Sequence, residues 1–227
     1  MNAVFETRTS TGSQDPARAD VNLPRGPALP SWIDGEAVDR LQRDALRRPA
    51  DPGPVLEGSD LRDLIVANHG WNQLLWEQED QARRVDVPDA AIVENKRAID
   101  RYNQRRNDAI EAIDDVVLGM LEQVQARDDA WLNSETVGSI IDRLSINLLK
   151  LHHMGLQTQR PDTSAAHFAL CSEKVRRLRE QRGDLLVCLQ RLLDGLRDGS
   201  CRFRVYRQFK MYNDPTLNPC LYGKEPH

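Results

Sequence analysis

Residues 61–84 read LRDLIVANHGWNQLLWEQEDQARR, and after a short break residues 91–124 read AIVENKRAIDRYNQRRNDAIEAIDDVVLGMLEQV. In both stretches apolar residues recur every three or four positions, the spacing of one face of an α-helix. At about 100° per residue, one line down the first stretch carries Leu61, Leu64, Ile65, Asn68, Asn72, Leu75, Glu79, Ala82 and Arg83. The matching line down the second carries Ile92, Lys96, Ile99, Asn103, Arg106, Ile110, Ile113, Asp114, Val117, Leu121 and Val124. Both stripes place polar residues where a core-facing stripe should be apolar. That conflict sets the functional question for the chain.

Around this pair the sequence supplies further helices. Ser59 or Asp60 is a cap for a first long helix over about 60–84, and Val87-Pro88-Asp89 separates it from a second over about 89–126. Asn133-Ser134 starts a third over about 134–154, with Val137, Ile140, Ile141, Leu144, Leu148 and Leu151 on an ordinary apolar face and Gly155 as its stop. Thr163 or Ser164 starts a fourth over about 164–197, striped by Cys171, Val175, Leu178, Leu185, Leu189, Leu192 and Leu196, with Arg182 in mid-stripe and Gly199 at its end. Four long amphipathic segments with short connections predict an all-α, antiparallel helical bundle.

The ends differ. Residues 1–31 are rich in Pro, Arg, Asp, Gly and Ser and read as a disordered leader, followed by a short helix over 31–46 and a break at RRPADPGP, 47–54. Residues 1–55 are therefore expected as leader, 56–222 as one helical-bundle domain, and 223–227 as a tail. RFRVYRQFKMYNDPTLNPCLYG, 202–223, is aromatic-rich and alternates Phe203, Val205, Phe209 and Met211, which suits a short strand or an extended arm laid on the bundle.

Composition excludes several classes. The 227 residues carry 31 basic and 35 acidic side chains, a net charge of −4 that gives no overall pull toward nucleic acid. No apolar run approaches the roughly 18 residues of a membrane span. The N-terminus lacks an apolar signal core, which points to the cytoplasm. Cys171, Cys188, Cys201 and Cys220 form no CxxC pair and read as reduced thiols. Long apolar helix faces leave room for a dimer.

If the first two helices pack antiparallel, Glu79 and Arg83 come near Lys96 and Asn103, and Asn72 comes near Arg106 and Ile110. So many buried charges must pair, hydrate or meet a ligand. They could form an internal network, with Glu79 bridged to Arg106 or Lys96. They could instead line a polar cavity, and the number of Asn residues favours this: an amide suits a sugar hydroxyl. In that reading Glu79 or Asp80 is the base or metal ligand, and His69 is a further candidate base. Arg83, Lys96 and Arg106 bind phosphate, Asn72, Asn103 and Asn107 bind hydroxyls, and Asp114 completes the polar set.

Metal chemistry leaves one option. There is no Glu-x-x-His for a di-iron bundle. Glu77-Gln78-Glu79-Asp80 and Glu111-Ala112-Ile113-Asp114 each hold a Glu-x-x-Asp, so Mg²⁺ between two carboxylate pairs is conceivable, as in all-α nucleotide pyrophosphohydrolases. No other cofactor is evident. Arg176, Arg177, Arg179 and Arg182 form a basic cluster on the fourth helix, either a solvated face or a surface for phosphate or an acidic partner.

NQLLWEQEDQARR, NKRAIDRYNQRRNDAIEAID, GSIIDRLSI and FKMYNDPTLNPCLY, in that order, resemble the bacterial domain-of-unknown-function family 4254 across Leu61 to Tyr222. The matching positions include Asn72, Trp76, Glu79, Asp80, Arg83, Asp100, Asn103, Asn107 and Asp108, with Lys210, Asn213, Asp214 and Asn218 in the tail. The resemblance implies a compact helical domain, from genes often near the glycosyltransferases of surface-polysaccharide clusters, and it brings no catalytic assignment. The expectation is an enzyme or ligand-binding accessory protein for a sugar or sugar-nucleotide in bacterial glycan or secondary-metabolite biosynthesis. The alternative is a noncatalytic scaffold for a glycosyltransferase.

Overall fold

The computed structural model describes residues 29–53, 58–206 and 216–218. Five helices and one pair of short strands are found among them: α1 Gly35–Leu46, α2 Leu61–Gln81, α3 Asp89–Met120, β1 Trp131–Asn133, α4 Val137–Gln157, α5 Ala165–Arg197 and β2 Cys201–Phe203. The chain is thus an all-α bundle. Most of the proposed aromatic arm, including Phe209 and Met211, lies outside the described residues, as does the leader before Leu29.

Four of the five helices start where a side chain can replace the missing backbone acceptor, and α3 starts after Pro88 without one. Asp34, Asp60, Thr136 and Ser164 cap α1, α2, α4 and α5. Asp60 rather than Ser59 is the α2 cap, accepting from Arg62 N at 2.7 Å. α4 starts three residues later than its sequence suggests, because Thr136 is its cap, accepting from Ser139 N at 3.1 Å, and it runs through Gly155 to Gln157.

β1 precedes α4 and β2 follows α5, so the two strands meet in parallel at the open end of the α4–α5 hairpin, with Trp131 opposite Cys201. The turn before β2 needs Gly199. Its φ is +74°, and a Cβ there would lie 2.5 Å from the Gln125 carbonyl.

α4 is the central helix. It packs against α1, α2, α3 and α5, and it buries Val137, Ile140, Ile141, Leu144, Leu148 and Leu149. Each such aliphatic side chain contributes about 1.5–3 kcal/mol on burial. Where α4 crosses α3 the backbones nearly touch: a Cβ on Gly138 would lie 2.5 Å from Ile110 O.

The short helix expected within the leader is α1, and it is packed into the bundle. Ile33 and Val38 are fully buried. Arg182 of α5 reaches α1 through the core: Nε donates to Asp39 Oδ1 at 2.6 Å, Nη2 to Gln42 Oε1 at 3.2 Å, and Nη1 to the α4 carbonyl of Leu144 at 2.7 Å. Gln42 in turn donates to the Ile141 carbonyl at 2.9 Å. Burial opposes the Arg182 charge, and Asp39 supports it. Partial burial alone would raise the Asp39 carboxyl, but the Arg43 hydrogen bond and the Arg182 charge outweigh it and hold the group below its usual range.

Candidate functional site

α2 and α3 lie side by side, tied by Asn95 Nδ2 donating to Gln78 Oε1 at 2.7 Å and by a tilted contact of Trp71 with Tyr102. Between them and α4 opens a cavity of about 460 Å³. It is lined by Asn72, Glu79, Asp80 and Arg83 from α2, and by Asn103 and Arg106 from α3. Trp76, Leu75, Ile146 and Leu149 form its apolar wall. Six of the ten residues proposed from the sequence therefore surround one space.

Its floor is a buried network that the sequence reading missed. Asp142 Oδ1 on α4 accepts from Asn68 Nδ2 at 3.0 Å and from Asn72 Nδ2 at 2.8 Å. Asn72 also donates to Ser145 Oγ at 3.0 Å, and Ser145 Oγ contacts His69 Nδ1 at 2.8 Å. Both amide hydrogens of Asn72 are thus used, which leaves its carbonyl oxygen as the group it can offer to the cavity. Asp142 and Ser145 lie three apart in GSIIDRLSI, next to the apolar stripe of α4. That spacing was the available signal, and it carries weight only once α4 is known to be covered on several sides.

Arg106 is bound less completely. Its Nε lies 3.9 Å from Asp142 Oδ1, within ion-pair range and too far for a hydrogen bond. This Nε is buried and has no hydrogen-bond partner. At the mouth, Arg83 bridges to Glu79 at 3.2 Å, and Asp80 stands 3.9 Å from Arg83, with all three side chains about half exposed or more. Such pairs are worth little to stability and can open to a ligand. Behind them Trp76 stacks on His153 of α4, with centroids 4.4 Å apart and planes 8° from parallel.

Four candidates lie elsewhere. Lys96 is exposed on α3 and pairs with Asp100 one turn on; Asn95 takes the inward position instead. Asp114 is buried and accepts from Gly138 N at 2.7 Å, which anchors the start of α4 where the helices touch. Asn107, Asp114 and Glu111 line a separate small cavity of about 80 Å³. The second Glu-x-x-Asp pair is therefore not at the Glu79 cavity. Among the described residues no three His, Cys, Asp or Glu side chains are grouped to hold a metal ion. His69 is fully buried and does not line the cavity. Burial, reinforced by the Arg182 charge, pushes its pKa from 6.5 to about 4. It is a neutral member of the floor, out of reach of a ligand.

Fold and site together define a small all-α domain with a polar cleft between two long helices and a hydrogen-bonded floor supplied by a third. The chain belongs to the family described as Protein of unknown function (DUF4254), which it matches over residues 62–205. The match includes α2 to β2 and leaves out α1. No curated protein and no solved structure matches the chain. No described helix is long and apolar enough to cross a membrane.

Proposed function

We propose that the α2–α3 cavity binds the sugar of a sugar or sugar-nucleotide, and that the protein serves glycan or secondary-metabolite biosynthesis in the cytoplasm as an enzyme or ligand-binding accessory protein. The observation that carries this reading is Arg106. A guanidinium that lines a cavity while its buried Nε lacks a hydrogen bond has donor capacity that the fold itself does not use, and a buried unmade bond of this kind costs about 1–3 kcal/mol.

The rest of the lining suits a polyol. Asn103 and the Asn72 carbonyl can meet hydroxyls, Trp76 offers an apolar ring, and Glu79 or Asp80 is placed at the mouth to accept a proton. The charges here balance locally: Arg83 and Arg106 face Glu79 and Asp80, with Asp142 behind. A largely neutral ligand fits that balance better than a bare phosphate.

The test is a thermal-shift screen of the purified chain against free sugars and sugar-nucleotides, with and without Mg²⁺. A ligand at 100 times its Kd raises stability by about 2.7 kcal/mol, a shift of several degrees for a domain of this size. A saturable shift supports the proposal. No shift with any sugar or sugar-nucleotide at millimolar concentration removes it.

A further inference from the structure

A second cavity, of about 690 Å³, lies between the C-terminal half of α4 and the facing turns of α5. It adjoins the first: Trp76 and Asp80 line both. The two differ in charge. In the second cavity Lys150, Lys174 and Arg177 face one acid, Asp80. Arg177 is engaged by Glu173 at 2.8 Å, whereas Lys150 and Lys174 are in no ion pair among the described residues. Arg177 is offset by Glu173, so the free positive charge of the cleft is that of Lys150 and Lys174, opposite Asp80 and, near His153, Glu77.

The rest of the lining is flat and apolar with a few amides. The Trp76–His153 stack forms a partition, and Met154 and Leu178 add apolar surface. Burial, together with the neighbouring His152, keeps His153 below its ordinary pKa, so the ring is a neutral stacking surface at physiological pH. Gln181 Oε1 accepts from Asn147 Nδ2 at 3.0 Å, which leaves the Gln181 N–H groups for a ligand. Aromatic planes beside amide donors suit a nucleobase, and lysines suit a diphosphate. A volume of 690 Å³ lies within the roughly 300–1,000 Å³ of small-ligand sites.

We infer that this second cavity binds the nucleoside diphosphate half of a nucleotide-sugar, with Lys150 and Lys174 on the phosphates, and that the sugar passes Trp76 into the first cavity. The inference rests on the sugar-site reading above. It assigns the phosphates to α4 and α5 and not to the arginines of the first cavity, and it accounts for two clefts meeting at one indole.

The experiment is calorimetric titration of the full chain with UDP, ADP, inorganic pyrophosphate, farnesyl diphosphate and free hexoses. The wild type is compared with a Lys150→Ala/Lys174→Ala double variant and with Asn103→Ala. Both lysines are exposed, so the double variant is expected to fold as the wild type does, verified by circular dichroism. The expected result is that a nucleoside diphosphate binds, more tightly than pyrophosphate, with an affinity that falls as salt rises. The double variant then loses at least tenfold, and Asn103→Ala stays within about twofold. Undiminished binding to the double variant overturns the inference. So does tighter binding of farnesyl diphosphate than of either nucleotide, which would make the occupant a lipid diphosphate. Hexose binding with no nucleotide binding at millimolar concentration overturns the inference and leaves the sugar-site proposal standing. Loss of both removes both.

Discussion

Arg182 on α5 and Arg106 on α3 both bring a guanidinium into the bundle, and the fold treats them differently. Arg182 is buried, and all three of its nitrogens are hydrogen-bonded, to Asp39, Gln42 and the Leu144 carbonyl. Arg106 is about a quarter exposed, stands 3.9 Å from its nearest carboxylate, and leaves a buried nitrogen unused. The first has the completeness of a structural device, since a buried charge persists only when its hydrogen bonds are met. The second lines a cavity and leaves a donor unmet, which is the feature the proposed ligand site rests on. An unmet atom alone does not mark a site, since Asn68 and His69 of the floor each have one as well; Arg106 differs from them in lining the cavity.

The comparison can be broken most sharply at Arg182. Arg182→Met removes the bonds to Gln42 Oε1 and the Leu144 carbonyl and leaves Asp39 with Arg43 as its one remaining cationic partner among the described residues. The expected cost is about 3–5 kcal/mol, a fall in Tm on the order of 10 °C, with detachment of α1 seen as faster amide exchange over residues 35–46. A stable Arg182→Met variant would show that the network holds nothing together.

The next effect is a pH dependence from His69. Its folded pKa, about 4, lies below the ordinary 6.5. The unfolded chain therefore takes up the proton first, and the stability that neutral His69 contributes is complete above about pH 6.5 and lost as pH falls toward 4. The loss is on the order of 3 kcal/mol. Chemical denaturation at pH 7 and pH 4.5 should show it, and His69→Gln should flatten that part of the profile. An unchanged profile would mean that His69 is charged in the fold and that the floor of the cavity is polar in a different way.

The smallest effect serves as a control. Lys96→Ala removes only an exposed pair with Asp100, so stability should change by less than about 1 kcal/mol and ligand affinity not at all. A tenfold loss of affinity would place Lys96 at the ligand after all.

These residues also show how far the sequence could be read. The periodicity of α2 and α3 predicted a bundle and placed Asn72, Glu79, Asp80, Arg83, Asn103 and Arg106 on facing sides, because Leu and Ile at helical spacing fix the phase near them. In the upper half of α3 the stripe is mostly polar, so the phase is poorly fixed. A neighbouring residue lies only about 100° away, so helix phase points Lys96 inward where the structure buries Asn95. α4 posed another problem: a central helix has no single solvent face, so its six apolar positions drew attention from Asp142 and Ser145 beside them. Arg182 was legible as an inward charge, but its partners were not, since Asp39 and Gln42 lie some 140 residues away in a region whose composition resembles a leader.

Arg106→Met, measured for both stability and binding, tests the central claim most directly. If Arg106 is kept for a ligand, the variant unfolds within about 1 kcal/mol of the wild type and loses at least tenfold in affinity for whichever sugar or sugar-nucleotide stabilises the wild type. If it loses 3 kcal/mol or more, as expected for Arg182→Met, and binds that ligand unchanged, Arg106 belongs to a structural network and the cavity is not the site.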